Sequence, residues 1–499
     1  MENKEKEDSY SHILKYTGIL GGVQGLSVLV GIVRNKFAAL FLGPNGMGMV
    51  SLLNSTINMM VSATSFGIPT SAVHEISENY DRAPKQLLES IKLIRSWVLL
   101  TAVLGVLVCV CLGPLFNNWT FTWGNHTLHY MLLAPTVGLT ILVGGEMAVL
   151  KATRQLKALA YSSLYVVAAS LIISAPVYYL WGQAGIVFVL NFQAFVQLVC
   201  VMRYSLRYYP YLISLRRSYL KSGVHVIRLG IAFVLSGVIN SGAEFLVRTS
   251  LNNVGDLEEV GLFNACSTLV LVYGGLVFSA MESDYYPRLS CIKGKGSELN
   301  ACVNRQIEVN TLLISPFIIM LIFGLPILIP LLYDKSFMGI LLMAQFAAVS
   351  MLFRAVYLPI EYLPLSKGQS FVFLGQETFA VVLLFVFEII GFNLYGLTGM
   401  GIGIVLAYFV EAIAVCIFSR IYYSMAISKS AYLYMGIETL FCLLALTVVV
   451  SVDLNFYYWL AAFVFSAMNV CFSLYIIKTK THLIEKNNGT VETIKGRYC

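Results

Sequence analysis

Arg34 and Lys36, Glu244 and Arg248, and Arg354 and Glu361 stand inside three runs of this chain that are otherwise almost wholly apolar. An ionisable group in such a run costs about 3 kcal/mol or more unless it is paired or faces water, so each pair asks for an explanation. Glu244 and Arg248 are four residues apart, the spacing of an i,i+4 ion pair on one helical face, and such a pair can be purely structural. Arg34 lies about 27 Å along a helix from Tyr16, so it either snorkels to an interface or faces a cavity. Phe37 to Leu42 continue apolar for nearly two more turns, which favours the cavity. Arg354 is deep in its own run, where it either pairs with a glutamate of another helix or faces the same water. Taken together, cations at these depths on three helices imply a wet cavity that accepts an anion. Arginine suits such an anion, because its fixed fork of donors binds two oxygens at once. The candidate binding residues are therefore Arg34, Lys36, Arg248, Arg354 and Glu244. Glu146, Glu282 and Asp284 read as solvated helix ends, and Glu377, Glu388, Glu411 and Glu438 as scattered acids available for pairing.

Other chemistry is hard to find. The nearest approach to a phosphate-binding loop, Gly294-Lys295-Gly296-Ser297, lacks the first glycine at the required distance. Gly399, Gly401 and Gly403 open an apolar run rather than follow a strand, so they read as close helix packing. His126 and His129 have no acidic or thiol partner nearby, and the ten cysteines show no metal-binding spacing. No metal, no cofactor and no enzymatic activity are expected.

These side chains must be held by membrane-spanning helices. Hydrophobic residues make up 58% of the 499 and charged residues only 12%, about half the share in a soluble protein. The apolar residues come in blocks of about 20, enough for a helix to cross a hydrocarbon core. The N-terminal stretch MENKEKEDSYSH is charged and does not resemble a secretory signal peptide. The expected fold is all-α and polytopic, with fourteen spans at 14–40, 47–71, 93–113, 129–150, 159–180, 185–203, 226–250, 261–283, 307–333, 339–363, 371–391, 399–419, 433–452 and 457–477. Pro316, Pro326, Pro330, Pro359 and Pro364 offer places for kinks in the ninth and tenth. Lys and Arg crowd one set of connections, including Lys4, Lys6, Lys15, Arg82, Lys85, Arg154, Lys157, Arg216, Arg217, Lys293, Lys295, Lys367, Arg420, Lys429 and the tail to Arg497. The opposite set holds only Lys335. The crowded side is read as cytoplasmic, with both termini there. The net charge of +7 then reflects orientation rather than a nucleic-acid footprint.

The basic connection 203–228 divides the first twelve spans into two lobes of six around a central cavity, residues 1–222 and 223–420. Residues 421–499 add a pair of helices and a tail. A weak echo supports two halves: a cation near the outer end of span one (Arg34) precedes a glycine turn, and Arg248 and Gly255 repeat this in span seven.

The stretch Leu42-Gly43-Pro44-Asn45-Gly46-Met47-Gly48-Met49-Val50-Ser51-Leu52, running to Phe66-Gly67-Ile68-Pro69 and Ile76-Ser77, resembles the first helix pair of polysaccharide flippases. That group includes the O-antigen and lipid III translocases of the multidrug/oligosaccharidyl-lipid/polysaccharide exporter superfamily. Leu150 to Ala158, and Lys367-Gly368-Gln369-Ser370 through Gly396 to Ile402, are similar to later segments of the same proteins. Spans thirteen and fourteen depart from the commoner twelve-span pattern. The resemblance implies a flippase carrying an undecaprenyl-diphosphate-linked oligosaccharide, an O-antigen-like repeat unit, to the outer leaflet of a bacterial inner membrane. It implies membrane lipids and glycan polymerase machinery as partners, no nucleic acid, and a monomer. By the same likeness Arg34 falls where related flippases place cavity cations. Two alternatives share the fold, a multidrug cation antiporter and a lipid II flippase. An antiporter for cations is expected to gather acids rather than arginines in its cavity.

Overall fold

The computed structural model describes residues 2–80, 84–121, 125–292 and 296–488. Arg82, Lys293, Lys295 and Arg497 lie outside the described residues, as do the side chains of Lys4, Lys6, Lys15, Glu282 and Asp284. The helices run α1 (Glu2–Thr64), α2 (Ile68–Tyr80), α3 (Pro84–Thr120), α4 (Thr127–Leu132), α5 (Ala134–Ala152), α6 (Leu156–Trp181), α7 (Ile186–Tyr208) and α8 (Arg217–Ser222). They continue as α9 (Val224–Val254), α10 (Leu257–Ser267), α11 (Tyr273–Cys291), α12 (Ser297–Leu332), α13 (Leu341–Ser366), α14 (Ser370–Tyr423), α15 (Lys429–Ser451) and α16 (Phe456–Asn488). No strand occurs among the described residues.

Among those residues nine helical stretches are long and apolar enough to cross a membrane. Three of the nine, of 40, 53 and 54 residues, are each too long for one crossing and are broken near the middle. The breaks have local causes. Gly43 takes φ 64°, a conformation that costs glycine little, and Pro44 follows with its fixed φ at the start of the next helix. Gly396 does the same at φ 60° within α14, and Gly182–Gly185 is a short 3-10 turn between α6 and α7. Those three stretches therefore supply six crossings. With α9 and with α10–α11, joined by a π-helical turn at Thr268–Val272, all fourteen expected spans fall on helices. The prolines of spans nine and ten sit within α12 and α13, which continue through them.

The chain forms two compact units, residues 1–261 with the turn 332–334, and residues 262–331 with 335–499. In the first, α1 packs on α6 and α9, and α5 on α3 and α7. One crossing in this unit depends on two residues having no side chain. A Cβ on Gly48 would stand 2.0 Å from the Leu257 carbonyl oxygen, and one on Gly261 would stand 1.9 Å from that of Pro44. The contact is reciprocal with the same four-residue offset on each helix, as in an isologous contact about a two-fold axis. In the second unit α13 packs closely on α14. The glycine run behaves as expected there: Gly399 meets the Gly391 carbonyl, Gly403 that of Phe387 and Gly401 that of Met343, at 2.1–2.6 Å for a hypothetical Cβ. Three glycines on alternate residues thus seat one helix against two neighbours.

Glu146 differs from expectation. It is not a solvated helix end but is 4% exposed, and Arg95, at 3%, grips it with Nε and Nη2 at 2.8 and 2.9 Å. Arg95 also donates to Ser205 Oγ at 2.9 Å and to the Pro210 carbonyl at 2.6 Å, so its fork ties α3, α5, α7 and the following basic connection together. Every donor with a partner stabilises such a pair, and losing one partner leaves an uncompensated buried charge. Glu146→Ala is therefore expected to lower stability by about 3–5 kcal/mol. The double change Arg95→Met with Glu146→Leu should lose less than either single truncation, measured by thermal unfolding of the purified chain.

Candidate functional site

A cavity of about 190 Å³ lies within the first unit, walled by α1, α5, α6 and α7. Its position follows from how α1 is patterned. Leu26, Leu29, Val33, Phe37 and Leu40 are exposed and form one stripe along that helix, fit for lipid. Arg34, Asn35 and Ala38 lie roughly 100–160° around the helix from that stripe and line the cavity. Beyond the break at Gly43 the second half of α1 adds Val50, Asn54 and Asn58. Thr136 and Thr140 come from α5, Ser170, Ser174 and Tyr178 from α6, and Gln193 and Gln197 from α7.

Among the described residues the lining holds one cation, Arg34, and no carboxylate. Arg34 Nη2 donates to Asn35 Oδ1 at 3.2 Å, and the guanidinium lies within electrostatic reach of the Tyr178 hydroxyl. Around it the walls are mainly amides and hydroxyls, and one such pair, Ser170 Oγ to Gln193 Oε1, is 3.2 Å apart. Amides and hydroxyls can donate and accept, which suits a neutral, hydroxyl-rich ligand. A single guanidinium among them suits one anionic group on that ligand. Asn, Gln, Ser and Thr scattered through apolar runs carry no charge, so the charge-based reading of the sequence passed them over. Their signal was legible only as a polar stripe on each of several helices.

The other candidate residues are placed differently. Lys36 Nζ donates to the Tyr333 carbonyl, in the turn that belongs to the same unit. Arg248 donates through Nε to Ser51 Oγ at 2.7 Å and through Nη1 to the Glu244 carbonyl at 3.1 Å. Its guanidinium also stands 3.6 Å from the Glu244 carboxylate, so the i,i+4 pair forms. That carboxylate is half exposed while the arginine is mostly buried. Neither Lys36, Glu244 nor Arg248 lines the cavity that holds Arg34, although Ser51 is next to Val50 in the wall.

Arg354 lies in the second unit, where its guanidinium stands 5.5 Å from the centre of the Phe278 ring. It shares an electrostatic neighbourhood with Glu361, Glu377 and Glu411, of which Glu361 and Glu411 are buried. Next to it the Tyr357 and Tyr408 rings stack at 5.8 Å. The surroundings of the two arginines are thus chemically unlike: Arg34 stands among neutral polar groups, and Arg354 stands near acids.

The polysaccharide biosynthesis protein family matches residues 13–293, more than half of the chain. Comparison with curated protein sequences finds no match. Among solved structures, the lipid II flippase MurJ in an inward closed conformation superposes with a TM-score of 0.73 at 13% identity, covering 93% of this chain and 99% of that one. An inward-facing multidrug resistance MATE family transporter of the MOP superfamily superposes at 0.66 and 16% identity, covering 80% and 94%. An outward-facing one gives 0.58 and 16%, covering 81% and 93%. At these identities the likeness is one of fold. The MurJ match takes in a further eighth of this chain or so, about the length of two spans with their connection. The chain is a multi-pass membrane protein that belongs to the polysaccharide biosynthesis protein family.

Proposed function

We propose that this protein moves an undecaprenyl-diphosphate-linked oligosaccharide, an O-antigen-like repeat unit, from the cytoplasmic to the outer leaflet of a bacterial inner membrane. It does so by alternating access and performs no catalysis. The observation that carries this reading is the lining of the Arg34 cavity, which among the described residues has one guanidinium, no carboxylate and a wall of amides and hydroxyls. A sugar chain offers hydroxyls to such a wall, and a diphosphate offers the anion that Arg34 would hold. Arg248, Lys36 and Arg354, with Glu244 beside Arg248, are the further cations and acid through which the headgroup would pass. The asymmetry of Lys and Arg between connections supports cytoplasmic termini. The proposed lobes are residues 1–222 and 223–420, with 421–499 as an added pair, on the basic connection 203–228 that separates them in sequence.

The acids around Arg354 favour a second reading, a multidrug cation antiporter of the same fold, since buried carboxylates are what a cationic drug requires. Deletion of the gene separates the two. The flippase reading expects loss of a surface glycan with lipid-linked precursor accumulating in the membrane, and unchanged resistance to cationic dyes. Sensitivity to dyes with an intact surface glycan would replace it with the antiporter. A lethal deletion with arrest of peptidoglycan synthesis would point instead to lipid II.

A further inference from the structure

Glu438 lies nine residues into α15, about 14 Å along that helix from its first residue. The side chain is fully buried. Its carboxyl group meets neutral groups only: Ser315 Oγ of α12 donates to Oε2 at 2.6 Å, Asn469 Nδ2 of α16 to the same oxygen, and Ser473 Oγ of α16 to Oε1 at 3.3 Å. Cys442, one turn further along α15, is a titratable neighbour, and no charged side chain of α12, α13 or α16 acts on Glu438 among the described residues. A carboxylate with no cation, in the middle of a membrane helix, is costly, and such groups hold a proton instead.

Two further buried atoms bear on this. Asn469 Oδ1 and Thr311 Oγ1 belong to side chains at most 1% exposed and have no hydrogen-bond partner. Asn469 Oδ1 is a waiting acceptor beside the carboxyl. Ser315 and Ser473 can turn their hydroxyls to accept as well as donate. The pocket can therefore satisfy either the ionised carboxylate, through three donors, or the neutral acid, through acceptors.

A polar ladder joins this pocket to one end of the helices. Seven residues before Ser315 on α12 stands Glu308, and seven after Ser473 on α16 stands Lys480, in each case about 10 Å away along the helix. Glu308 and Lys480 form an ion pair, and Ser428 and Ser430 also donate to Glu308. Lys480 is partly exposed and lies 5.0 Å from the centre of the Tyr434 ring, one turn before Glu438. Thr311 lies between the two levels on α12.

We propose that Glu438 is a proton-binding site of the last two spans, filled and emptied through Thr311 and the Glu308–Lys480 level at the cytoplasmic end. On release, the O–H bond of the carboxyl breaks and its electron pair stays on oxygen. The proton passes to water at the Glu308–Lys480 end, and Ser315, Asn469 and Ser473 hold the carboxylate that remains. The carboxyl is fully buried and met by three side-chain donors, which suits a proton rather than a metal ion. The proton site rests on this geometry alone; its use in driving transport rests on the flippase reading above.

Infrared spectra of the full chain in lipid nanodiscs test it. A neutral carboxyl band is expected at neutral pH, absent in Glu438→Gln and lost from the wild type in alkaline buffer. Ser473→Ala keeps the carboxyl and should shift the band, a readout that does not need Glu438→Gln to fold. Glu308→Gln should keep the band but slow its response to a pH jump at least tenfold. A wild-type spectrum with no such band, unchanged by Ser473→Ala, would show an ionised structural carboxylate and overturn the proposal. A sodium-dependent rise in melting temperature that Glu438→Gln abolishes would overturn it in favour of a metal ion. A band that behaves as expected in a chain that moves no lipid-linked sugar would remove the flippase reading and leave the proton site standing.

Discussion

Arg34→Ala is expected to lower translocation of a diphosphate-linked oligosaccharide by about a hundredfold, while the protein still inserts and folds. The size follows from a charge-assisted hydrogen bond, about 1.5–3 kcal/mol, lost at the only cation that the described residues place in the cavity wall. Folding should survive because the side chain faces a cavity, and its bond to Asn35 is local. Arg34→Lys keeps the charge but not the fork, so it should retain a part of the activity, about a tenth. Asn54→Ala removes one neutral partner and should cost less than tenfold, near 1 kcal/mol. Accumulation of precursor on the cytoplasmic leaflet, beside normal amounts of protein in the membrane, is the measurement. Normal surface glycan from Arg34→Ala would leave that residue as a packing feature of α1.

The second large effect concerns backbone contact. Gly48→Ala places a Cβ against the Leu257 carbonyl, and Gly261→Ala places one against that of Pro44. Main chain cannot turn aside as a side chain can, so the helices must part. Overpacking of this kind costs about 1–3 kcal/mol, and the shift carries the start of α10 with it. Each variant should melt several degrees lower and lose most of its transport. Gly31→Ala is the control, since nothing lies within 4 Å of a Cβ there, and alanine favours a helix over glycine by up to about 1 kcal/mol. If Gly48→Ala behaves like Gly31→Ala, the crossing has more room than the geometry gives it.

Much of the architecture was legible because a bilayer leaves so few choices. Every backbone polar group must be paired within the helix, so apolar blocks of about 20 residues become spans. Gly43-Pro44 and Gly396 marked breaks for reasons local to those residues. The site was less legible. Ionisable residues in apolar runs stand out, and that logic found Arg34. It could not tell which arginine faces a cavity, because facing depends on how α1, α5, α6 and α7 are rotated against one another. It also gave Arg248 no partner beyond Glu244, since Ser51 is about 200 residues away in the chain. Glu146 was misread for the same reason. Its partner Arg95 lies in the first third of α3, where in the sequence an arginine looks like one more positive charge at the interface.

The most direct measurement of the central claim is translocation itself, in vesicles that contain only the purified chain. A diphosphate-linked oligosaccharide is placed in the bilayer, and the fraction of its sugar open to a lectin outside is followed in time, with a cationic dye tested in parallel. The account predicts that wild-type vesicles equilibrate the sugar between leaflets, that Arg34→Ala vesicles do so about a hundredfold more slowly, and that neither moves the dye. Dye movement driven by an ion gradient, with the sugar left on its original leaflet, would contradict it.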